Sequence, residues 1–355
     1  MTYILTKQTG LPLVKMWYQK RNPPADARPS FTGLTVIATG ANVGVGFEAA
    51  VKFVELDAKK VILAVRSISK GEDAKAQIEG RTSRRGVVDV WQLDMLEYDS
   101  IRAFAKRAET DLERIDIAVL NAGATFASYQ QSKYGWERTL QVNLISTVYL
   151  ALLLLPKLRA SKTADHIPVL QLISSGAHSF IQALASDSSK PDAEPLDIYN
   201  DAEHYNPMTQ YNISKLYLEY CKAQLARLVR PFAKDPAKDP TTQAPDVVVL
   251  SVCPGGTRSN IGRDFTNPLV QGLLWTFQMV FQRPTEQGAR SYISGAALGW
   301  EKGHGAFWQS DEIKDPGYAP MIGGEENEAL GKKVWQDVLQ ALRPDGTDVD
   351  RLVKG

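Results

Sequence analysis

Residues 34–52 of this chain, LTVIATGANVGVGFEAAVK, decide how the protein folds. A short β-branched run leads directly into a glycine-rich turn, and the turn opens into a helical pattern from Gly46 onward. Glycines allow a tight reversal and let backbone N–H groups approach a phosphate closely, while the helix N-terminus adds partial positive charge. The stretch therefore predicts a strand–turn–helix unit that binds a pyrophosphate, although its Gly-x-x-x-Gly-x-Gly spacing differs from the Gly-x-Gly-x-x-Gly of most dinucleotide folds.

The rest of the chain repeats this alternation of strand and helix. Strand-like runs cover residues 34–39, 60–65, 87–93, 115–120, 168–173 and 247–252, and helical patterns cover residues 46–56, 70–78, 100–110, 136–155 and 211–229. Near-continuous apolar strands separated by helices are typical of a parallel sheet that is covered on both faces. Right-handed crossovers then give a single-domain α/β fold of Rossmann type, a doubly wound parallel sheet of about seven strands.

Composition excludes several classes of protein. The 355 residues are 44% hydrophobic and carry 41 Lys and Arg against 40 Asp and Glu, so the chain can bury a large core and has no basic excess for nucleic acid. The two cysteines, Cys221 and Cys253, form no CxxC pair, and the four histidines show no ligand spacing. We therefore expect no metal site and no disulfide, with a reducing compartment as the default.

Two apolar stretches bear on membrane contact. Residues 144–155 are too short to span a bilayer and predict a buried helix that ends at Pro156. Residues 269–281 are apolar and aromatic but also too short, and Gln271 and Gln278 interrupt them. Since the N-terminus has no continuous apolar segment of the secretory kind, we expect a cytoplasmic protein without a transmembrane segment. Peripheral membrane contact stays open.

Three prolines between residues 23 and 29 close an N-terminal extension, residues 1–30, before the first strand. We expect the domain to cover residues 31–345 and a C-terminal tail to cover residues 346–355. A long polar connection, residues 182–207, precedes Tyr211. Long connections in compact domains are often functional or disordered.

Tyr211 and Lys215 lie four residues apart in a helical pattern, which puts them on one face. A neighbouring cation favours phenolate over phenol and lowers the pKa of the tyrosine toward the range of an acid–base catalyst. The same spacing also arises by chance, when a half-buried tyrosine lies beside a solvated lysine.

Arg66 follows the second predicted strand, at the position that separates the two nicotinamide cofactors. An NAD site usually offers a carboxylate there to the ribose 2′-hydroxyl, whereas an NADP site offers an arginine to the 2′-phosphate. No carboxylate is present in the run Leu63-Ala64-Val65-Arg66-Ser67, so NADP(H) is favoured. The alternative is a surface arginine in a solvated turn.

Together these residues resemble the short-chain dehydrogenase/reductase family over roughly residues 31–345. The matching motifs are Gly40, Gly44 and Gly46; Asp94; Asn121-Ala122-Gly123; Asn143; Ser175; Tyr211 and Lys215; and Pro254-Gly255 with Thr257 and Ser259. Arg66, the Ser-Ser-x-Ala-His stretch 174–178 and the Arg-Pro-Thr-Glu-Gln-Gly stretch 283–288 resemble the retinol-dehydrogenase-like branch. The Ala-Asn-Val-Gly turn and His304-Gly305 resemble fungal members, many of which serve secondary metabolism.

The resemblance implies a cofactor site and a catalytic set. The residues implied for NADP(H) are Gly40, Asn42, Val43, Gly44, Val45, Gly46, Arg66, Asp94, Met95, Asn121, Ala122, Gly123, Tyr211, Lys215, Pro254, Gly255, Thr257 and Ser259. Ser175 is expected to hydrogen-bond the substrate oxygen and Tyr211 to donate its proton. Lys215 is expected to hold the nicotinamide ribose and lower the pKa of Tyr211, and Asn143 to anchor a water molecule that links Lys215 to solvent.

Several readings stay open at this stage. Only one of Ser174 and Ser175 can face the substrate, because adjacent strand residues point to opposite faces; the family pattern selects Ser175. His178 either lines the pocket or is a loop histidine hydrogen-bonded to backbone. Asn143 could instead cap or bend its helix. The connection before Tyr211 is longer than is usual in the family, so it must fold outward and return Tyr211 to the site.

The expected function is reduction of the carbonyl of a bulky hydrophobic ketone or aldehyde with NADPH, such as a polyketide or terpenoid intermediate, or the reverse alcohol oxidation. Residues 260–285 would form the substrate lid, and their apolar stretch could also be a dimer contact or a membrane-docking face. Family members commonly form homodimers through the helices that carry Asn143 and Tyr211. The alternatives are a non-redox enzyme for cyclisation or epimerisation, or a cofactor-binding scaffold.

Overall fold

The apolar runs of the sequence form one sheet. The computed structural model describes residues 12–184, 194–203, 205–230, 243–259, 261–262, 264, 267–343, 346 and 348–354. The strands in them are β1 (Thr35–Thr39), β2 (Lys60–Val65), β3 (Val88–Gln92), β4 (Ile117–Leu120), β5 (Val169–Ile173), β6 (Val248–Cys253), β7 (Phe307–Gln309) and β8 (Glu312–Ile313). The eight strands are arranged in the order β3-β2-β1-β4-β5-β6-β7-β8.

Neighbouring strands from β1 to β7 are parallel, and only β8 runs antiparallel, against β7. The strand order reverses between β1 and β4, which creates a crevice at their carboxyl ends where ligands bind in such sheets. The Rossmann-type doubly wound sheet predicted from the sequence is confirmed, with a two-residue strand added at one edge.

The helices follow the strands in turn. They are α1 (Pro12–Arg21), α2 (Gly44–Glu55), α3 (Ile68–Thr82), α4 (Tyr98–Asp111), α5 (Arg138–Ala160), α6 (Pro195–Tyr199), α7 (Pro207–Leu228), α8 (Pro268–Phe281), α9 (Thr285–Ala296), α10 (Trp300–Gly303), α11 (Glu325–Leu342) and α12 (Val349–Lys354). Buried side chains form two clusters, one on each face of the sheet: α4, α5 and α7 pack on one face, and α2, α3 and α9 on the other. This two-sided burial explains why the central strands are apolar throughout.

The helix that carries Asn143 corrects one prediction. We expected it to end at Pro156, but α5 continues to Ala160. A proline inside a helix removes one backbone hydrogen bond and disturbs the preceding turn. Pro156 lies on the exposed side of α5, whereas Leu155 and Leu158 are buried in the core, so packing holds the helix together past the proline. Among the described residues α5 alone is long and apolar enough to cross a membrane, but 89% of its apolar window is buried within the fold.

The described part of the N-terminal extension is tied to the body of the protein. The α1 helix packs on α8, and the Lys52 ammonium on α2 makes ion pairs with Asp26 (2.7 Å) and with Glu286 on α9 (2.8 Å). Parts of the extension, of the connection before Tyr211, of the expected lid and of the tail lie outside the described residues, namely 1–11, 185–193, 204, 260, 263, 265–266, 347 and 355.

Candidate active site

A cleft of about 450 Å³ opens at the carboxyl ends of β1 and β4, where the strand order reverses. Every residue predicted for the site borders this cleft except Asn143. The glycine turn, Arg66 and Asp94 line one end, and Ser175, Tyr211 and Lys215 line the other. The sequence motifs, which are spread over more than two hundred residues, therefore converge on one crevice.

The glycine turn has the backbone that a phosphate site requires. Gly40 and Gly44 have φ angles of +64° and +68°, in the left-handed region that favours glycine. A Cβ atom on Gly46 would lie 2.4 Å from Nδ2 of Asn121, so this position admits no side chain without a shift. Val43 caps α2 without a side-chain acceptor. The first N–H groups of α2 are therefore available to an anion, and the turn fits the pyrophosphate of a dinucleotide.

Asn121 fixes the floor of the cleft behind that turn. Its Nδ2 donates to the Thr39 carbonyl (2.8 Å), and its Oδ1 accepts from the Tyr292 hydroxyl (2.9 Å). The Ala122 amide donates to Oγ1 of Thr39 (2.8 Å). These bonds join the ends of β1 and β4 to α9 and hold the crevice at a fixed width.

Two predicted residues stand at the adenine end. Arg66 follows β2, is exposed and borders the cleft. The next residue, Ser67, caps α3 by accepting from the Lys70 amide, so the N-terminus of that helix lies beside the guanidinium. Asp94 accepts from the Leu96 amide through Oδ1 (3.0 Å), which shapes the turn after β3. A guanidinium next to a helix N-terminus forms an electropositive corner.

Ser175, Tyr211 and Lys215 meet at the other end of the cleft. The Ser175 side chain interacts with the Tyr211 hydroxyl, and the Ser175 hydroxyl accepts from the Ala177 amide (3.2 Å). The Lys215 ammonium lies 5.8 Å from the centre of the Tyr211 ring and donates to the Ile173 carbonyl (2.8 Å). Of the two adjacent serines, Ser175 is thus the one in contact with the tyrosine, while Ser174 is buried.

The pKa values in this group differ from the sequence-based expectation. Burial raises the pKa of Tyr211 to about 12, although the hydrogen bond from Ser175 opposes the rise. Burial also lowers the pKa of Lys215 to about 8. We expected the lysine to lower the tyrosine pKa, but desolvation, which disfavours the charged form of both groups, is the larger effect.

Asn143 lies behind the cleft rather than on its surface. It occupies a π-helical turn, Gln141–Ile145, inside α5 and is fully buried. Its side chain accepts from the Ala124 amide (2.8 Å) and donates to the Ala124 carbonyl (2.9 Å) and to the Ser214 hydroxyl (3.0 Å). Asn143 therefore holds the strand-end segment that follows Gly123 against the helix of Tyr211.

The connection before Tyr211 returns the chain to the site through buried polar contacts. Asn206 caps α7 by accepting from the amides of Met208 and Thr209, both at 3.0 Å. One turn later Gln210 donates to Oε2 of Glu137 (2.8 Å) and to the Tyr199 carbonyl (2.8 Å). Because α7 begins at Pro207 and is anchored at both ends of its first turn, Tyr211 is held facing the cleft.

His178 follows the second of its two sequence interpretations. It is fully buried, and its Nδ1 lies 2.5 Å from the Ser175 carbonyl oxygen. A carbonyl only accepts, so Nδ1 carries the proton and Nε2 accepts from the Tyr318 hydroxyl. His178 therefore supports the backbone of Ser175 and does not border the cleft.

The chain's relatives decide its classification. The family model described as short chain dehydrogenase matches residues 34–180. The short-chain dehydrogenase/reductase phmF of Phaeosphaeria nodorum is 39% identical over 340 residues, 95% of both chains. The short-chain dehydrogenase/reductase ffsI of Aspergillus flavipes is 35% identical over 96% of this chain and 95% of its own. This chain belongs to the short-chain dehydrogenase/reductase family. The resemblance to fungal members predicted from the sequence is confirmed.

Two solved structures share the fold at lower identity. A protein from Mycobacterium paratuberculosis aligns with a TM-score of 0.58 at 23% identity, over 89% of this chain and 95% of that one. The Pseudomonas aeruginosa RhlG/NADP complex aligns with a TM-score of 0.55 at 21% identity, over 79% and 95%. As a member of the family, the chain is an oxidoreductase that acts on CH–OH or C=O groups with a nicotinamide cofactor.

Three residues of this short-chain dehydrogenase/reductase site were not predicted as site residues. Tyr292, on α9, borders the cleft and bonds Asn121. Cys253 ends β6 under the cleft, and its Sγ accepts from the amides of Gly176 and Gly255 and from Gln309. Arg283 is fully buried behind Gly255, and its Nε and Nη1 have no hydrogen-bond partner among the described residues. Each of them contacts a residue that is distant in the sequence. A local sequence pattern does not reveal such a contact.

The expected lid divides into two parts. Ser259, Ile261 and Asp264 border the cleft, and Asp264 is anchored by the Ala127 amide (2.9 Å). No residue of α8 borders it, and none of that helix is buried. The helix instead stands beside the cleft, connected through Gln278, which donates to the Ser259 carbonyl (3.2 Å).

Proposed function

We propose that this protein is an NADP(H)-dependent reductase of the carbonyl group of a bulky hydrophobic ketone or aldehyde, or catalyses the reverse alcohol oxidation, in the cytoplasm. The observation that carries the proposal is the single cleft that holds an arginine after β2 at one end and the Ser175–Tyr211–Lys215 group at the other. The glycine turn and the Asn121–Gly123 segment line the cleft between these two ends. A bound dinucleotide would lie along them.

Arg66 supports NADP(H) over NAD(H). The guanidinium is exposed, borders the cleft and faces no carboxylate at the end of its own strand, so it is available for a 2′-phosphate. The structural neighbour from Pseudomonas aeruginosa is described as an NADP complex, which agrees with this choice. When bound, the cofactor supplies or takes up a hydride at the substrate carbon.

The side chains of the protein handle the proton and the substrate oxygen. In reduction the Ser175 hydroxyl holds the carbonyl oxygen, and the Tyr211 hydroxyl gives its proton to that oxygen as charge develops. A pKa of about 12 keeps Tyr211 protonated at neutral pH, which suits a proton donor. The Lys215 ammonium, held by the Ile173 carbonyl, would bind the nicotinamide ribose. Asn143 is a positioning residue, since it holds the Ala124 backbone rather than the substrate.

The substrate side of the cleft favours an apolar molecule. Phe126, Val142 and Ile261 border it, and the Arg138 guanidinium lies 4.4 Å from the centre of the Phe126 ring. The fungal relatives and this lining together support a hydrophobic intermediate of secondary metabolism as the substrate class.

The test is NADPH consumption, followed by absorbance, against a panel of hydrophobic ketones and aldehydes. Wild-type protein should consume NADPH, and Tyr211→Phe should reduce kcat by at least about a hundredfold. Tyr220→Phe is the matched control, because Tyr220 lies on the same helix but donates to the Met321 carbonyl (2.7 Å) away from the cleft; it should keep its turnover.

Arg66→Ala tests the cofactor choice in the same assay. It should weaken NADPH binding by roughly ten- to hundredfold, the effect of one charge-assisted hydrogen-bonded group, and NADH binding far less. Equal losses for both cofactors would refute the NADP(H) assignment. Product formed without NADPH consumption would instead favour a non-redox reaction in the same cleft.

A further inference from the structure

The α1 and α8 helices present a continuous apolar surface outside the cleft. Its exposed members, called here the α1–α8 surface, are Val14, Trp17, Leu269, Val270, Leu273, Leu274, Trp275, Met279 and Val280. Leu269 is 85% exposed, Leu273 77% and Trp275 65%. Folded proteins rarely leave such a contiguous apolar patch in water, so a binding partner is expected to cover it.

Three of these exposed residues form one stripe along α8, whereas Trp275 and Met279 lie on other sides of the helix. Leu269, Leu273 and Val280 follow one another at spacings of four and seven residues, which places them on a single stripe of the helix. Gln271 and Gln278, which interrupt the apolar sequence, fall on the opposite side by the same geometry. Gln278 indeed turns inward to the Ser259 carbonyl. The two glutamines therefore leave the outer stripe apolar.

The charged residues of the two helices are of one sign. The ten residues of α1 contain Lys15, Lys20 and Arg21 and no acidic residue, and α8 contains no charged residue at all. Lys20 donates to the Val280 carbonyl (3.1 Å) at the C-terminus of α8, and the Arg21 guanidinium lies 4.1 Å from the centre of the Trp17 ring. Apolar and tryptophan side chains beside lysine and arginine are what an anionic membrane surface binds.

We propose that the α1–α8 surface docks the protein on an anionic phospholipid bilayer, with Leu269, Leu273 and Val280 in the acyl boundary and Lys20 and Arg21 of α1 at the headgroups. A second copy of the chain fits this surface less well, because a two-fold pairing of the same patch would bring the cations of one α1 toward those of the other. The proposal does not depend on the proposed reaction.

Vesicle co-sedimentation with the full chain tests the proposal. Wild-type protein should bind vesicles in which roughly one lipid in three is phosphatidylserine at least about fivefold more strongly than pure phosphatidylcholine vesicles. Raising the salt from about 0.15 M to about 0.5 M should remove most of that preference. The double variant Leu269→Glu/Leu273→Glu should lower binding to the anionic vesicles at least about tenfold, since it places two carboxylates in the apolar stripe.

Ile313→Glu is the matched control, because Ile313 is also exposed (43%) but lies on β8, away from the surface; it should bind vesicles like wild type. Circular dichroism and sedimentation velocity of each variant complete the test. Wild-type protein that fails to bind either kind of vesicle would overturn the proposal, as would a double variant that binds like wild type. A wild-type dimer that the double variant dissociates, without vesicle binding, would assign the surface to a second copy of the chain instead.

Discussion

At the scale of single residues, the properties of the site depend on burial as much as on residue type. Tyr211 and Lys215 were recognised from their spacing, and the structure brings both to the cleft beside Ser175. Their pKa values move in opposite directions, because the protein around them disfavours both phenolate and ammonium. A spacing rule identifies which groups meet, whereas the surrounding packing determines their charge.

Lys215 should make the stability of the protein depend on pH. Its pKa is about 8 in the folded chain against an ordinary 10.5, so the unfolded chain binds more protons between these values. The free energy of unfolding should therefore rise with pH over this window, by roughly 3 kcal/mol at most. Urea unfolding between pH 8 and pH 10.5 measures the slope, and Lys215→Met should flatten it.

Lys332→Met is the matched control for that slope, because Lys332 is an exposed lysine on α11. It should follow the wild-type pH dependence, since removing a solvated ammonium leaves the Lys215 contribution in place. A Lys215→Met variant with the wild-type slope would show that the ammonium is not desolvated in the folded chain.

At the scale of elements, two helices have the same kind of cap but different support. Asn206 caps α7, which is buried along most of its length, and Asn267 caps α8, which has no buried residue. Both asparagines accept from two amides of the first turn. A cap contributes to the global free energy of unfolding only if the helix that it begins unfolds together with the core.

Asn206→Ala should lower the free energy of unfolding by about 1 kcal/mol, the usual cost of losing an N-cap side chain on a helix that unfolds with the core. Asn267→Ala should leave global unfolding nearly unchanged, because α8 can open locally. Chemical denaturation followed by circular dichroism compares the two. Equal losses would mean that α8 belongs to the cooperative core.

Most regular elements were predictable because they are long and periodic. The first six strands lie within two residues of their predicted bounds, and the cleft-lining motifs fall at their ends. β7 and β8 were missed because three and two residues are too few to show a pattern. Pro156 was misjudged because its exposure, and therefore its tolerance, is decided by tertiary packing. Tyr292 acts through its bond to Asn121, 171 residues away in the sequence, where local patterns carry no information.

At the scale of the whole molecule, an ion-pair network joins the N-terminal segment to the sheet. Lys52 is largely buried between Asp26 and Glu286, and Arg290 makes two hydrogen bonds to Glu286, at 2.9 and 3.0 Å. The Arg290 guanidinium also donates to the Pro24 carbonyl (3.2 Å). The network thus fastens residues that precede β1 to α2 and α9, the two helices beside the glycine turn.

Glu286→Gln should lower the free energy of unfolding by roughly 1 kcal/mol at pH 7, since the pairs are partly exposed and screened. Burial raises the pKa of Glu286, but hydrogen bonds from Arg290 and Lys52 outweigh it and hold the pKa below the ordinary 4.5. A carboxyl group with a lowered pKa stabilises the fold above pH 4.5 and loses this effect as the pH falls through its folded pKa.

Urea unfolding at pH 7 and at successively lower pH checks this, since the gap between Glu286→Gln and wild type should close in acid. Glu328→Gln serves as the control. Glu328 pairs with Arg227 at 3.2 Å on the exposed surface and should change stability by less than about 0.5 kcal/mol. If the difference in the free energy of unfolding between Glu286→Gln and wild type stays the same in acid, the stabilising effect of Glu286 does not come from its charge.

The last hairpin of the sheet has a consequence for how the protein behaves at high concentration. β8 offers only two residues at its edge, both exposed, and Glu312 there pairs with Lys314. A strand from another molecule would find few free backbone hydrogen-bonding groups there and charged side chains beside them. Short, charged edge strands are one way in which natural sheets avoid aggregation. The β8 edge therefore offers another molecule no strand to pair with. We expect it to prevent edge-to-edge association of sheets, although the neighbouring parallel strands are strongly apolar.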